Sequence, residues 1–419
     1  MKGKHRILAF LLIMAVLSLS LSSCSGGSKK GHREVDWEKE GELTLALRDG
    51  IYADVIEQCV IDFEEKTHIY CNILKLGEDE LHSGLISDSA KEDGSYDICM
   101  VDGSWMAEFT EENVLMNLSG SGYELDDDII SATKEVCYKD EALYLAPYYG
   151  NVTILLYNKR LAEAAGFKGG NIESLSDMME ICVFAKKHRN LGFLYRGDTP
   201  NNIVVDFLPI LLSYGGWVVD ENNKPTVNTP EFKSALEFYL ELIGTGKAET
   251  RDNLVLAIAN QAAAMGVGWP GWYTPERNGQ AEYAAITGKV TDNSPSYNAN
   301  VYGIWTLGIT NNSQNKEMSV ELLKYLMDPD VQKASVEIGG VPCRYSSLKD
   351  PEVLKKFPQY APVCQALEGG VYRPIMPEWT DFYTILGTEM ELIIKGEKSV
   401  DSGLSAAQEK LDALLKTVA

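Results

Sequence analysis

Histidine is scarce in this chain: five among 419 residues, at positions 5, 32, 68, 82 and 188, with no H-E-x-x-H and no other ligand spacing. A histidine-based metal site therefore has no support. G-x-S-x-G and the P-loop pattern are also absent. Gly266, Gly268 and Gly271 match G-x-G-x-x-G literally. Pro270 and Gly271 cannot carry a helix forward, so the segment reads as a loop and not as a dinucleotide site. No C-x-x-C occurs among the eight cysteines. Setting Cys24 apart leaves Cys59, Cys71, Cys99, Cys137, Cys182, Cys343 and Cys364, an odd set that argues against a zinc ribbon, a thioredoxin motif or a complete disulfide framework. Basic residues are few, 38 Lys and Arg against 61 Asp and Glu, for a net charge of −23. Such a surface repels phosphate backbones and anionic headgroups, which disfavours nucleic acid and polybasic membrane attachment and suits a neutral or cationic partner. The 61 acids single out no pair for glycoside hydrolysis, no repeat of 20 to 50 residues is present, and neither cofactor nor metal is called for.

The one long apolar run, residues 7–21, follows Lys2, Lys4 and Arg6 and is short of the roughly 20 residues a membrane span needs. It reads as a secretion signal. Leu21-Ser-Ser-Cys24 closes it and resembles the lipobox of bacterial lipoproteins, whose cysteine is acylated and becomes the mature N-terminus. Residues 1–23 are then a lipoprotein signal peptide, Cys24 the lipidation site, and 24–41 a flexible polar tether on the outer face of the cell membrane. Loss of three basic residues and no acid moves the net charge to −26.

The body is globular in composition, 45% hydrophobic and 24% charged. Apolar alternation at 43–47, helical spacing through Val55, Ile56, Cys59, Val60 and Phe63, then alternation at 69–76 give strand, helix, strand, and so a parallel α/β layer. Residues 96–101 read as a buried strand ending at Asp102. Helices follow at 177–188, 232–243 and 317–327, with strands at 154–157 and 302–309. Open α/β sheets bind ligands at the carboxyl ends of their strands, where Arg48-Asp49 and Asp102-Gly-Ser-Trp105 fall. Aromatic and turn residues coincide at Trp105, at Tyr148-Tyr-Gly-Asn151, at Trp269-Pro-Gly-Trp272, at Tyr302-Gly-Ile-Trp305, at Arg373 and at Trp379. A ring beside a carboxylate or amide covers a C–H face while polar groups take hydroxyls, which is the shape of a sugar; the same rings could equally pack in a core. Trp217 and Trp37 read as structural.

The order of Tyr96-Asp-Ile-Cys-Met-Val-Asp102, Ala146-Pro-Tyr-Tyr-Gly-Asn-Val-Thr-Ile-Leu-Leu-Tyr-Asn-Lys159, Gly215-Gly-Trp-Val-Val-Asp220, Ala264-Met-Gly-Val-Gly-Trp-Pro270, Gly340-Val-Pro-Cys-Arg344 and Arg373-Pro-Ile-Met-Pro-Glu-Trp379 resembles the extracellular solute-binding proteins of bacterial ABC transporters, family 1. The resemblance implies a two-lobed α/β fold of the periplasmic-binding-protein type II kind, with three crossings near Gly150, 299–303 and 340–342. The lobes would be 42–150 plus 303–340 and 151–302 plus 341–419. Asp102 resembles the family's sugar-hydroxyl acceptor; Trp269, Trp272, Trp305 and Trp379 match its stacking regions. Trp105, Tyr148 and Asn151 join them, and Arg373 opens the Arg-Pro segment. Dense acidic residues in the first two loops, as in a maltose reader, are not found. The implied function is non-enzymatic: a lipid-anchored monomer that delivers a sugar or oligosaccharide to ABC permease subunits. The alternatives are the same fold holding a peptide, polyamine or other cationic solute, a surface glycoside hydrolase, or an adhesin.

Overall fold

The first three strand readings resolve as neighbours in the computed structural model, which describes residues 38–272 and 280–416. They are β1 (Gly41–Arg48), β2 (Ile69–Leu76) and β3 (Ile98–Asp102), with β1 parallel to both others. Leu43, Leu45, Ala46 and Leu47 are fully buried, as expected for a parallel strand covered on both faces. After β1 the chain turns at Gly50, whose φ of 83° is open to glycine at no steric cost, and enters the helix Ile51–Thr67. A small hairpin, β4 (Tyr138–Lys139) and β5 (Ala142–Leu143), leads to β6 (Ala146–Tyr149).

The chain then leaves this sheet. β7 (Ile154–Asn158), β8 (Leu191–Tyr195), β9 (Lys247–Ala248), β10 (Ala263–Gly268) and β11 (Ala281–Ala284) form a second sheet in the order β11-β7-β10-β8-β9. It returns through β12 (Asn300–Tyr302) to β13 (Trp305–Ile309), which completes the first sheet as β2-β1-β3-β13-β6. β12 pairs instead with β14 (Gly370–Tyr372). The single strand read at 302–309 is therefore two strands in two different sheets. The break falls at Gly303, whose N–H donates to the Asn151 carbonyl at 2.9 Å and where an added Cβ would stand 2.9 Å from the Trp269 ring.

β7 shows the division between the two cores. Ile154 and Leu156 pack in the cluster built on the first sheet, while Leu155 and Tyr157 pack in the cluster of the second, as the two-residue period of a strand requires. Residues 341–372, expected with the second lobe, bury Leu348, Val353, Val363, Leu367 and Tyr372 in the first cluster. Met376, Trp379 and Phe382 begin the return to the second. In the described residues no helix is long and apolar enough to cross a membrane, and no group of three His, Cys, Asp or Glu is placed to hold a metal ion. The seven cysteines from Cys59 onward carry free thiols, and burial raises the Cys99 thiol to about 12. Residues 1–23, Cys24 and most of the tether lie outside the described residues.

Candidate functional site

The carboxyl ends of the parallel strands converge on one cleft of about 740 Å³. β1 delivers Arg48 and then Asp49, β2 delivers Glu78 two residues past its end, and β3 ends on Asp102. From the second sheet β8 delivers Arg196 and β10 delivers Trp269, with Trp272 closing the short turn Pro270–Trp272. β13 runs antiparallel to β3, so its first residue, Trp305, arrives at the same end, in register with Asp102 and Tyr149. The β13–β6 pairing is irregular between Trp305 and Thr306, the kind of break that re-aims a side chain.

Six of the nine residues singled out in the sequence line this cleft: Asp102, Asn151, Trp269, Trp272, Trp305 and Arg373. The other three do not. Trp105 packs behind Trp305, edge to face at 5.5 Å, and against Phe109 and His82. Tyr148 is buried beside Cys59, because neighbouring residues of β6 point to opposite faces and it is Tyr149 that packs against the cleft residue Tyr52, 4.8 Å away. Trp379 is 2% exposed and stacks on Phe382 at 5.5 Å in the second core. All three are core residues.

Asp102 is also not the open acceptor that was expected. Its Oδ1 accepts from the Ser104 N–H at 2.9 Å and hydroxyl at 2.8 Å, and Arg373 Nη2 donates to both carboxylate oxygens at 2.6 Å. The carboxylate is consumed in holding Arg373, whose Nε–H is buried with no acceptor among the described residues. Glu78 is the open one. It lies 3.8 Å from Arg48 Nε, beyond hydrogen bonding, and accepts no hydrogen bond from the described residues. Confinement in the cleft and the Asp102 charge raise its pKa, offset in part by Arg373 and Arg48; solvent still reaches 39% of the side chain, which mutes the effect.

Two of the three cleft tryptophans, Trp305 and Trp272, have a guanidinium over the ring. Arg48 stands 5.9 Å from the Trp305 centroid, and Arg196 stands 5.1 Å from that of Trp272. Arg196 is held from beneath: its N–H, Nε and Nη2 all donate to Asp206, which is fully buried, and Nη1 donates to Asn202 at 2.7 Å. Burial pushes the Asp206 carboxyl up and Arg196 pulls it back. Asp206 sits on the helix Pro200–Ser213, which opens with Thr199 capping the Asn202 N–H and proline at the first turn. Tyr52 fills the space between the walls, 5.6 Å from Trp305, with its hydroxyl accepting from Asn151 Nδ2 at 3.4 Å and its pKa raised by burial to about 12.

The family model for bacterial extracellular solute-binding proteins matches residues 46–333, more than half of the chain. The chain belongs to that family. This solute-binding protein is 23% identical over 369 residues to a protein of Sinorhizobium fredii described as a probable amino-acid ABC transporter periplasmic-binding protein, covering 85% of each. It is also 23% identical to a mannitol-binding protein of Pseudomonas aeruginosa, over 80% of this chain and 84% of that one. Among solved structures, maltose-bound MalE3 of T. maritima superposes with a TM-score of 0.78 at 21% identity, covering 89% of this chain and all of that one. A mannitol-bound solute-binding protein of Agrobacterium vitis gives 0.74 at 20%, covering 90% of this chain and 99% of that one. The fold is thus the two-lobed α/β architecture of periplasmic binding proteins.

Sequence reasoning missed Tyr52, Glu78, Arg196 and Arg251 as lining residues of the cleft. Glu78 was within reach, since the strand-end rule that selects Asp102 applies equally to β2, and Glu78-Asp-Glu80 makes the first turn of the helix Glu78–Ser89 acidic. Arg196 follows β8 in the same way. Tyr52 and Arg251 lie on helices, where nothing local distinguishes them from other surface positions.

Proposed function

We propose that this solute-binding protein captures a sugar or oligosaccharide and passes it, chemically unchanged, to the permease of an ABC importer, acting as a monomer anchored on the outer face of the cell membrane through Cys24. The observation that carries the reading is the pair Trp305 and Trp272, one from each sheet, lining one cleft among amide and guanidinium groups. Flat rings suit C–H faces, and surrounding polar groups suit hydroxyls. Relatives and structural neighbours named for maltose and mannitol agree with it. A polyamine or other cation fits less well, because a guanidinium already covers one face of each ring. The lobes in this reading are 42–150 plus 303–372, and 151–302 plus 376–416.

A thermal-shift screen of mono- and oligosaccharides, amino acids and polyamines tests the reading; a ligand at 100 times its Kd adds about 2.7 kcal/mol of stability. Stabilisation by polyamines alone would overturn it, as would hydrolysis of an oligosaccharide by the purified protein. Ligand binding should also compact the molecule, since a solute bridging both lobes favours the closed state. Small-angle scattering at saturation should show a smaller radius of gyration, and an unchanged radius counts against closure. For the anchor, wild-type protein expressed in a bacterium should take up labelled fatty acid and sediment with membranes, whereas Cys24→Ala should do neither. Equal labelling of the two forms removes the anchor from the proposal.

A further inference from the structure

The hydrogen-bond inventory of the cleft is unbalanced. Among the described residues Arg373 spends only Nη2, on Asp102, and its Nε–H is buried without an acceptor although the residue is 6% exposed. Arg48 spends Nη1 on Asp49, and its Nε–H is likewise buried and unpaired. The acids beside them are committed, Asp49 to Arg48 and Asp102 to Arg373 and Ser104, leaving Glu78 as the one lining carboxylate here without a hydrogen bond from the described residues. This end of the cleft, next to Trp305, sets three carboxylates against two guanidinium groups and still leaves two buried guanidinium N–H groups without an acceptor among the described residues. Unmet buried donors are costly, and a ligand group that meets two guanidinium groups at once is favoured over one that meets a single N–H.

We infer that the ligand carries a carboxylate, and that the solute class is an acidic saccharide such as a hexuronate or an oligosaccharide ending in one. This rests on the sugar-binding reading above. The carboxylate would take the free N–H groups of Arg48 and Arg373, while the Trp305 ring covers the adjoining C–H face. The protein's negative net charge is not an obstacle at this range, since charges beyond roughly 8 Å are largely screened at physiological salt and act mainly on the association rate.

Glu78 gives the inference a second, independent readout. A ligand carboxylate set between Arg48 and Arg373 adds a negative charge to the groups that face Glu78: Arg48 at the end of β1, Tyr52 on the helix Ile51–Thr67, Asp102 at the end of β3, Asp79 on its own helix, Arg373 after β14, and Tyr383 on the helix Trp379–Ile394. Tyr383 stays neutral at physiological pH, its pKa raised by burial. Of these groups Glu78 is the one free to relieve the repulsion, by taking up a proton. Anion binding is then coupled to proton uptake, and affinity for a uronate rises as pH falls, until the sugar acid itself protonates.

The test is calorimetric titration of the full chain with D-glucuronate, D-galacturonate and their disaccharides, each against its neutral parent sugar, and with glutamate and aspartate as carboxylates from amino acids. The expected result is binding of at least one uronate about ten-fold or more tighter than its parent, strengthening at lower pH. Glu78→Gln should remove most of that pH dependence and tighten the uronate several-fold at pH 7. Arg48→Gln and Arg373→Gln should each abolish the preference; because Arg373→Gln also strands Asp102, Arg48→Gln decides if that variant fails to fold. Equal or tighter binding of the neutral parents overturns the inference and leaves the sugar reading standing. Tighter binding of amino acids than of any uronate overturns the acidic-saccharide assignment. Failure of every saccharide overturns the underlying reading and this inference with it.

Discussion

Asp206→Ala should cost about 3 to 5 kcal/mol of stability. The native pair is inside the protein: Asp206 is fully buried, and the Arg196 side chain that it holds is 9% exposed. Removing the carboxylate leaves a guanidinium with nowhere to go and three donors without acceptors. Since domains hold a net margin of only about 5 to 15 kcal/mol, a loss of this size should appear as a large drop in melting temperature. It should also reach the site. Arg196 lies over Trp272, so a loosened guanidinium frees that ring, and affinity for any ligand found in the screen should fall even at temperatures where the variant is folded. Chemical unfolding and calorimetric titration, run side by side, check both parts. A near-wild-type unfolding curve would show that the pair is not the support described here.

Trp305→Ala should abolish measurable binding and lower stability by about 3 to 5 kcal/mol. The ring is 3% exposed and is wedged among Tyr52, Trp105 and Arg48, so its loss opens a cavity in the first core as well as removing a wall of the cleft. Trp272→Ala is the informative contrast. That ring is only partly buried, so the change should weaken binding by one to two orders of magnitude, about 1.4 to 2.7 kcal/mol, with a much smaller stability loss. Affinity per folded molecule, measured well below each melting point, separates the two effects. Wild-type affinity in both variants would return these tryptophans to the role of core residues. Trp217→Ala serves as the control, since Trp217 packs against the second core away from the cleft and should change stability more than affinity.

Several features were legible before any coordinates because they depend on neighbours in the chain. Alternation at 69–76 set β2, and the apolar spacing after Gly50 set the helix Ile51–Thr67, because burying one face requires that period. The rule that ligands gather at strand ends pointed to Arg48 and Asp102. The aromatic residues were harder. Trp105, Tyr148 and Trp379 look no different in sequence from Trp272 or Trp305, since a ring beside a turn is equally suited to a core and to a cleft.

The sequence by itself determined the first α/β layer, the tryptophans that could reach a ligand and the strand ends that could carry charge, because hydrophobic period and turn chemistry are written in consecutive residues; the family and its two lobes came from the resemblance of ordered segments along the chain. Only the tertiary structure decided which rings face the cleft, that Asp102 is spent on Arg373, and that two guanidinium Nε–H groups find no acceptor among the described residues. Those outcomes depend on pairings between residues far apart in the chain: Asp102 with Trp305 across β3 and β13, Asp102 with Arg373, and Glu78 with Arg48. A carboxylate's role is set by which donors reach it first, and that is a matter of distance in space.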